Sequence, residues 1–229
     1  MKDHLQELYP FLHGRERRVT AMDEALQWSL QQKARDGLRI KMQFFSRCAE
    51  DLVSVAHTMA ERFRRGGCLL CMGNGGSSCD AAHLAVEFLH PVTAGRPALP
   101  AVDLGASNAT LTALANDVGV EQIYLRQVAA LGDSDDVLVG FSTSGNSANL
   151  LEAFARAWEM GIATVALAGG DGGVMARSPY IDHCLVVPSD SVHRIQETHL
   201  ACYHILWDLV HTLLADSRGD LQPGGEAAG

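Results

Sequence analysis

The 229-residue chain is short of several things that would place it at once. Aromatic residues make up 6%, there are only seven prolines, and basic side chains are outnumbered, 18 against 27 acidic, for a formal net charge of -9. No apolar run approaches the roughly 20 residues a membrane helix needs, so no membrane partner is expected. The acidic balance excludes a protein that coats nucleic acid or anionic lipid through bulk charge, and an anionic ligand would have to be held by a local device. The six cysteines, Cys48, Cys68, Cys71, Cys79, Cys184 and Cys202, sit mostly within apolar patterns rather than in loop-rich spacings. A reduced, cytoplasmic chain is the corresponding expectation. Asp3, His4 and Glu7 within the first 12 residues argue against a secretory signal. With 47% apolar residues, a chain of this length buries roughly 70% of its unfolded surface and needs neither disulfide nor structural metal to be stable.

Residues 1–66 carry only helical signals. Ala25, Leu26 and Leu30, then Met42, Phe45, Leu52, Val53, Val55, Ala56, Met59 and Phe63, recur at threes and fours, and Gly66-Gly67 closes the pattern. The stretch Gly14–Arg18 and the later Gly37 predict a division into two or three helices, and the apolar stripes suit an oligomer contact. From residue 67 to 215 the texture changes. Short apolar runs at 68–72, 98–104, 136–141, 163–168 and 183–187 alternate with helical stretches at 77–89, 108–115, 123–131, 146–160 and 191–214. Strands apolar on both faces and separated by helices predict an α/β fold, a three-layer sandwich around a five-stranded parallel sheet, preceded by N-terminal helices. Residues 216–229, rich in Gly and Ala, read as a disordered tail.

Two strand-to-helix turns have more polar equipment than a turn requires. The first strand runs into Gly73-Asn74-Gly75-Gly76-Ser77-Ser78 and the third into Ser142-Thr143-Ser144-Gly145-Asn146-Ser147. Glycines let the backbone approach a ligand, and the free N–H groups of a first helical turn bind anions at the carboxyl end of a strand. Ser78 stands where a dinucleotide fingerprint needs its third glycine, and no G-x-x-x-x-G-K-[ST] occurs, so neither a dinucleotide nor a nucleoside triphosphate is indicated. Either loop alone is explained by a helix cap and a tight turn. Both in one parallel sheet point to a bound phosphate monoester. On the helix after the first loop, His83 and Glu87 are four apart and share a face. The spacing fits a surface pair, or a shared metal or substrate hydroxyl.

Taken in order, Gly73 to Ser77, His83 with Glu87, Asn116-Asp117, the S-T-S-G-N-S loop, Asp171-Gly172-Gly173 and Arg194-Ile195-Gln196-Glu197 with His204 resemble the sugar isomerase (SIS) domain family over about residues 40–214. Within it they are most similar to the branch that isomerises seven-carbon sugar phosphates. The resemblance implies a flavodoxin-like parallel sheet, a homotetramer with sites at subunit contacts, and conversion of sedoheptulose 7-phosphate to D-glycero-D-manno-heptose 7-phosphate. It assigns phosphate and sugar binding to Asn74, Gly75, Gly76, Ser77, Ser142, Thr143, Ser144 and Ser147, places Asn116 and Asp117 along the sugar, and counts Gln196 among the substrate-binding residues. Glu87 and His204 become the acid–base pair, and His83, Glu87, Gln196 and His204 the ligands of one zinc ion per subunit. Eight residues, about 12 Å of helical rise, separate Gln196 from His204. Either the ion is not held by all four at once or the pocket mixes neighbouring subunits. The rival reading is a non-catalytic member, a replication-initiator-binding assembly factor or a sugar-phosphate sensor, which the presence of His83, Glu87 and His204 together disfavours.

Two positions depart from the family pattern. Phe88-Leu89-His90-Pro91 follows Glu87 where a T-G-R-like segment is usual, with Gly95-Arg96 a little later, and His193 stands where Asp is common. Both alter the sugar lining rather than the phosphate loops. Other candidates are ordinary. Cys68 and Cys71 should point to opposite faces of one strand, Cys79, four before His83, reads as a small core residue before an extra metal neighbour, Asp171-Gly172-Gly173 as a turn and helix start, His199 and His211 as face residues of a long helix, and Arg62, Arg64 and Arg65 as the basic last turn of another.

Overall fold

The computed structural model describes residues 19–215, with side chains from residue 22 onward. The expected division at Gly14–Arg18 and the tail at 216–229 lie outside them. The chain separates into two compact units, residues 1–39 and 40–229. The boundary falls inside one continuous helix, α1 (Val19–Arg64). The predicted break at Gly37 is therefore overturned. One glycine within a helix costs only about 1 kcal/mol, and downstream the same helix buries Ile40, Phe44, Leu52, Val55, Ala56, Met59 and Ala60 in the core of the larger unit. At roughly 1.5–3 kcal/mol for each large apolar side chain, that burial dominates. The smaller unit leaves Leu26, Trp28, Leu30 and Leu38 exposed.

The larger unit is the expected three-layer α/β sandwich. After α1 come β1 (Leu69–Gly73), α2 (Gly76–Leu89), β2 (Ala101–Asp103), α3 (Asn108–Asp117), α4 (Leu125–Leu131), β3 (Val137–Ser142), α5 (Ala148–Glu159), β4 (Ala163–Gly169), β5 (His183–Val187) and α6 (Val192–Leu214), with short 3-10 turns at Val120–Gln122 and Met175–Arg177. All five strands are parallel, in the order β2-β1-β3-β4-β5. The run expected at 98–104 contributes only Ala101–Asp103, the edge strand.

Residues of β1, β3 and β4 are buried throughout, which is why they read as unbroken apolar runs. Alternate side chains feed two cores. Leu69, Cys71, Val139, Phe141 and Leu167 pack with α1, α2 and α6, while Leu70, Met72, Leu138 and Ala166 pack with α4 and α5. Cys71 belongs to the first core and Cys68 packs against the second, on opposite faces as expected. All six cysteines are free. The chain leaves β1 toward β2 and returns across it to β3, so connections diverge between β1 and β3. In parallel α/β sheets such a switch point opens a crevice at the carboxyl ends of the two strands. Both serine and glycine loops emerge there.

Candidate active site

The two loops are tied to each other before any ligand arrives. After β1, the Asn74 side chain exchanges two hydrogen bonds with Asn149 at the start of α5, Nδ2 to Oδ1 at 2.8 Å and back at 2.9 Å. Asn149 is buried. A primary amide is donor and acceptor at once, so the pair satisfies both groups and pins the crevice across the switch point. The Tyr124 hydroxyl bonds the Gly73 carbonyl from the layer below. In the second loop Ser142 and Ser147 share a hydroxyl hydrogen bond of 2.9 Å, and the Asn146 backbone N–H donates to Ser144 Oγ at 3.3 Å. Neither the Ser147 hydroxyl nor Gly75 gives its helix a side-chain cap, and the Leu150 N–H in the first turn of α5 is held by the Ser147 carbonyl and Asn149 Oδ1. Both helices start at the carboxyl end of the sheet, where the N-terminal end of a helix dipole would stabilise an anion.

Asp171-Gly172-Gly173 buttresses this loop. Gly145 adopts φ 65°, and a β-carbon there would fall 2.0 Å from the Gly172 carbonyl oxygen, so glycine is required on both counts. Asn146 Oδ1 accepts from the Val174 N–H at 2.9 Å and Asn146 Nδ2 donates to the Ser144 carbonyl at 2.8 Å. Asp171 accepts from Gly173 N–H, which holds its carboxyl below the usual range. From the sequence this segment reads as a turn and helix start, with no sign of this contact.

The ionisable cluster lies in a groove between α2 and α6, which run side by side in parallel. Gly76 faces Gln196, His83 faces Tyr203 and Glu87 faces Trp207, each pair 120 residues apart. His83 Nε2 is 3.0 Å from Glu87 Oε1, the Trp207 indole donates to the Glu87 carbonyl at 2.8 Å, and the His204 ring meets His83 edge-on at 5.1 Å between centroids. One ligand atom from each of His83, Glu87 and His204 falls within 4.8 Å of the other two. An imidazole–carboxylate–imidazole set partly open to solvent is the donor chemistry that zinc takes, leaving a position for substrate.

Gln196 is placed differently. A β-carbon on Gly76 would lie 2.3 Å from its amide nitrogen, so in the single chain Gln196 sits at the first turn of α2, about 10 Å of helical rise before His83. Asn116 and Asp117 close α3 exposed and bonded to each other at 2.8 Å. Arg96 reaches neither loop through a hydrogen bond. Its guanidinium pairs with Asp208 at 2.6 Å and lies over Trp207. Cys79 is exposed, not a core residue, and is no member of the cluster. His199 and His211 turn inward and are buried.

Two neighbours of the cluster escaped sequence reasoning. Asp80 lies one turn before His83, its Oδ2 buried without a hydrogen-bond partner. Desolvation pushes its carboxyl up to about 6, against the pull of His83. Tyr203 is buried, and its hydroxyl is 2.7 Å from His83 Nδ1. Burial, with the charges of Asp80 and Glu87, holds that phenol well above its ordinary value. The Asp80-x-x-His83 spacing was visible in the sequence. Tyr203, adjacent to His204, had no signal beyond its position.

A parallel sheet with two hydroxyl-rich helix starts at its switch point, and a cluster of ionisable side chains between α2 and α6, defines an α/β protein with the parts to hold an anionic small molecule beside groups able to exchange protons. The SIS domain pattern matches residues 34–169, and the chain belongs to that family. It is 43% identical over 183 residues to the phosphoheptose isomerase of Solidesulfovibrio magneticus, covering 80% of this chain and 88% of that protein. Solved phosphoheptose isomerases from Francisella tularensis (33% identity, TM-score 0.76, 80% of this chain and 97% of that one) and Neisseria gonorrhoeae (36%, 0.75, 82% and 99%) share the fold.

Proposed function

We propose that the chain is a phosphosugar ketose–aldose isomerase that converts sedoheptulose 7-phosphate to D-glycero-D-manno-heptose 7-phosphate through an enediol. The observation that carries it is the convergence of His83, Glu87 and His204 beside a switch-point crevice with two anion-accepting helix starts, in a chain so similar to phosphoheptose isomerases. The Ser142–Ser147 loop and Asn74–Ser77 receive the phosphate and sugar with neutral donors, so the net charge of -9 is no obstacle. Glu87 removes the C1 proton of the open-chain ketose as C1=C2 forms and the electron pair of the C2 carbonyl moves onto O2. His204 carries protons between O1 and O2, and return of a proton to C2 gives the aldose. This is general acid–base work of the kind a carboxylate and an imidazole perform together. The residues that would hold zinc are His83, Glu87 and His204; Gln196, the fourth donor suggested by the resemblance, sits at the first turn of α2 in the single chain and would join them only from a neighbouring subunit. When bound, the ion would polarise the carbonyl oxygen.

The coarser setting follows the same reading. The exposed apolar residues Leu26, Trp28, Leu30 and Leu38 suit a homotetramer, and the free cysteines suit a reducing cytoplasm. No described helix is long and apolar enough to cross a membrane. The test is incubation of the full chain with sedoheptulose 7-phosphate, with and without zinc, following the heptose aldose phosphate. Product is expected, and chelation should remove activity that zinc restores. Phosphate-ester binding without product would support a sensor instead.

A further inference from the structure

The proposed chemistry requires that His83 present one ring nitrogen to the Glu87–His204 site in a fixed orientation, and an exposed imidazole does not do so unaided. Its side chain is 40% exposed, and Glu87 Oε1 at 3.0 Å is a partner on one side only. The other side is closed by Tyr203. Its hydroxyl lies 2.7 Å from Nδ1, and its ring is locked in place. Phe141 packs edge-on at 5.8 Å, the His83 ring at 5.4 Å and the His204 ring at 5.0 Å, while the residue as a whole is 1% exposed.

A carboxylate oxygen only accepts, so Nε2 carries the hydrogen toward Glu87, and the neutral ring then offers its Nδ1 lone pair to the Tyr203 O–H. A phenol hydroxyl both donates and accepts. Should Nε2 give up its hydrogen to become a ligand, the hydrogen moves to Nδ1 and the Tyr203 oxygen accepts it. Few side chains serve both tautomers without changing place.

We propose that Tyr203 is a positioning residue that holds His83 by Nδ1 and accommodates either tautomer, delivering Nε2 to the Glu87–His204 site. This rests on the isomerase reading for its consequence in turnover, but the control of the ring itself does not. A ligating histidine is generally oriented by a hydrogen bond to its second nitrogen, and loss of that partner costs about 10–100-fold in metal affinity or activity.

The experiment is Tyr203→Phe in the full chain. The ring is retained, so its packing against Phe141 and His204 is kept and a thermal melt close to that of the parent should confirm the fold. Long-range nitrogen-15 spectra of the metal-free protein read the His83 tautomer directly. The parent is expected to show one tautomer, with the hydrogen on Nε2, and the variant a mixture. Zinc affinity, measured by competition with a chromophoric chelator, is expected to weaken about 10–100-fold. The kcat should fall while KM for the sugar phosphate changes little, because the phosphate loops are untouched. An unchanged tautomer spectrum in the variant overturns the proposal whatever the activity. Equal zinc affinity in both proteins overturns its metal consequence. A parent that binds no zinc and makes no heptose aldose phosphate refutes the isomerase reading, while the spectra still decide the role of Tyr203.

Discussion

The crevice loops and the α2–α6 groove solve opposite problems with opposite materials. On the proposed function the loops hold a phosphate whose bonds do not change in the reaction, and they are built from Ser, Thr, Asn and Gly whose groups do not titrate: the Ser142–Ser147 hydroxyl pair, the reciprocal Asn74–Asn149 amides and the starts of α2 and α5. On the same reading the groove moves protons, and it gathers Asp80, His83, Glu87, Tyr203 and His204 from two helices. On the proposed function, binding and chemistry fall to separate residues, although Gly76 and Ser77 of the first loop share α2 with His83 and Glu87. Substitutions should divide the same way, in KM on one side and kcat on the other.

The sharpest test of that division is Glu87→Gln. It keeps the shape of the side chain and removes the base, so kcat should fall on the order of 10³-fold or more, with sugar-phosphate binding by calorimetry within about twofold of the parent. Substantial residual turnover would remove Glu87 from its role. Next in size is Gly145→Ala, which forces a β-carbon into the Gly172 carbonyl at positive φ. The loop should be lost as a binding element, with weak or absent phosphate-ester affinity and a folded protein by circular dichroism. Ser142→Ala removes one hydroxyl and unpairs another. A hydrogen bond to a charged group is worth about 1.5–3 kcal/mol, so KM should rise about 10–100-fold with kcat held, and a kcat loss with unchanged KM would break the comparison.

A smaller effect separates stability from catalysis on α6 itself. His204 faces the groove, whereas His199 is buried against Phe141, with Nε2 3.2 Å from the Ala168 carbonyl and Nδ1 unpartnered. Desolvation lowers its value from the ordinary 6.5 to about 4. The folded state therefore prefers the neutral ring, and the unfolded chain binds the extra proton. The stabilising preference is fully present above pH 6.5 and is lost as pH falls toward 4, by about 3 kcal/mol. Urea midpoints of the parent should drop across that window, and those of His199→Gln should drop less.

Much of this was legible in the sequence because it is local. The Ser142–Ser147 turn, the i,i+4 geometry of His83 and Glu87, and the alternation of buried strands with helices depend on chain geometry over a few residues, and they appear where the pattern put them. Gly37 misled for the complementary reason. A local propensity of about 1 kcal/mol predicts a break, and burial farther along α1 outweighs it. The Asp171-Gly172-Gly173 turn was visible, but its use as a buttress under Gly145 was not, since that contact spans 27 residues between Gly145 and Gly172.

The sequence by itself determined which residues could bind an anion and which could exchange protons, because hydroxyls, helix starts and paired side chains one turn apart act through their immediate neighbours. Only the tertiary structure decided how they meet. The strand order brings Asn149 to Asn74 across 75 residues, and the parallel packing of α2 and α6 brings Tyr203 to His83 across 120. Those approaches follow from how whole elements bury their apolar faces on the sheet, a sum over the entire core that no short stretch of chain contains.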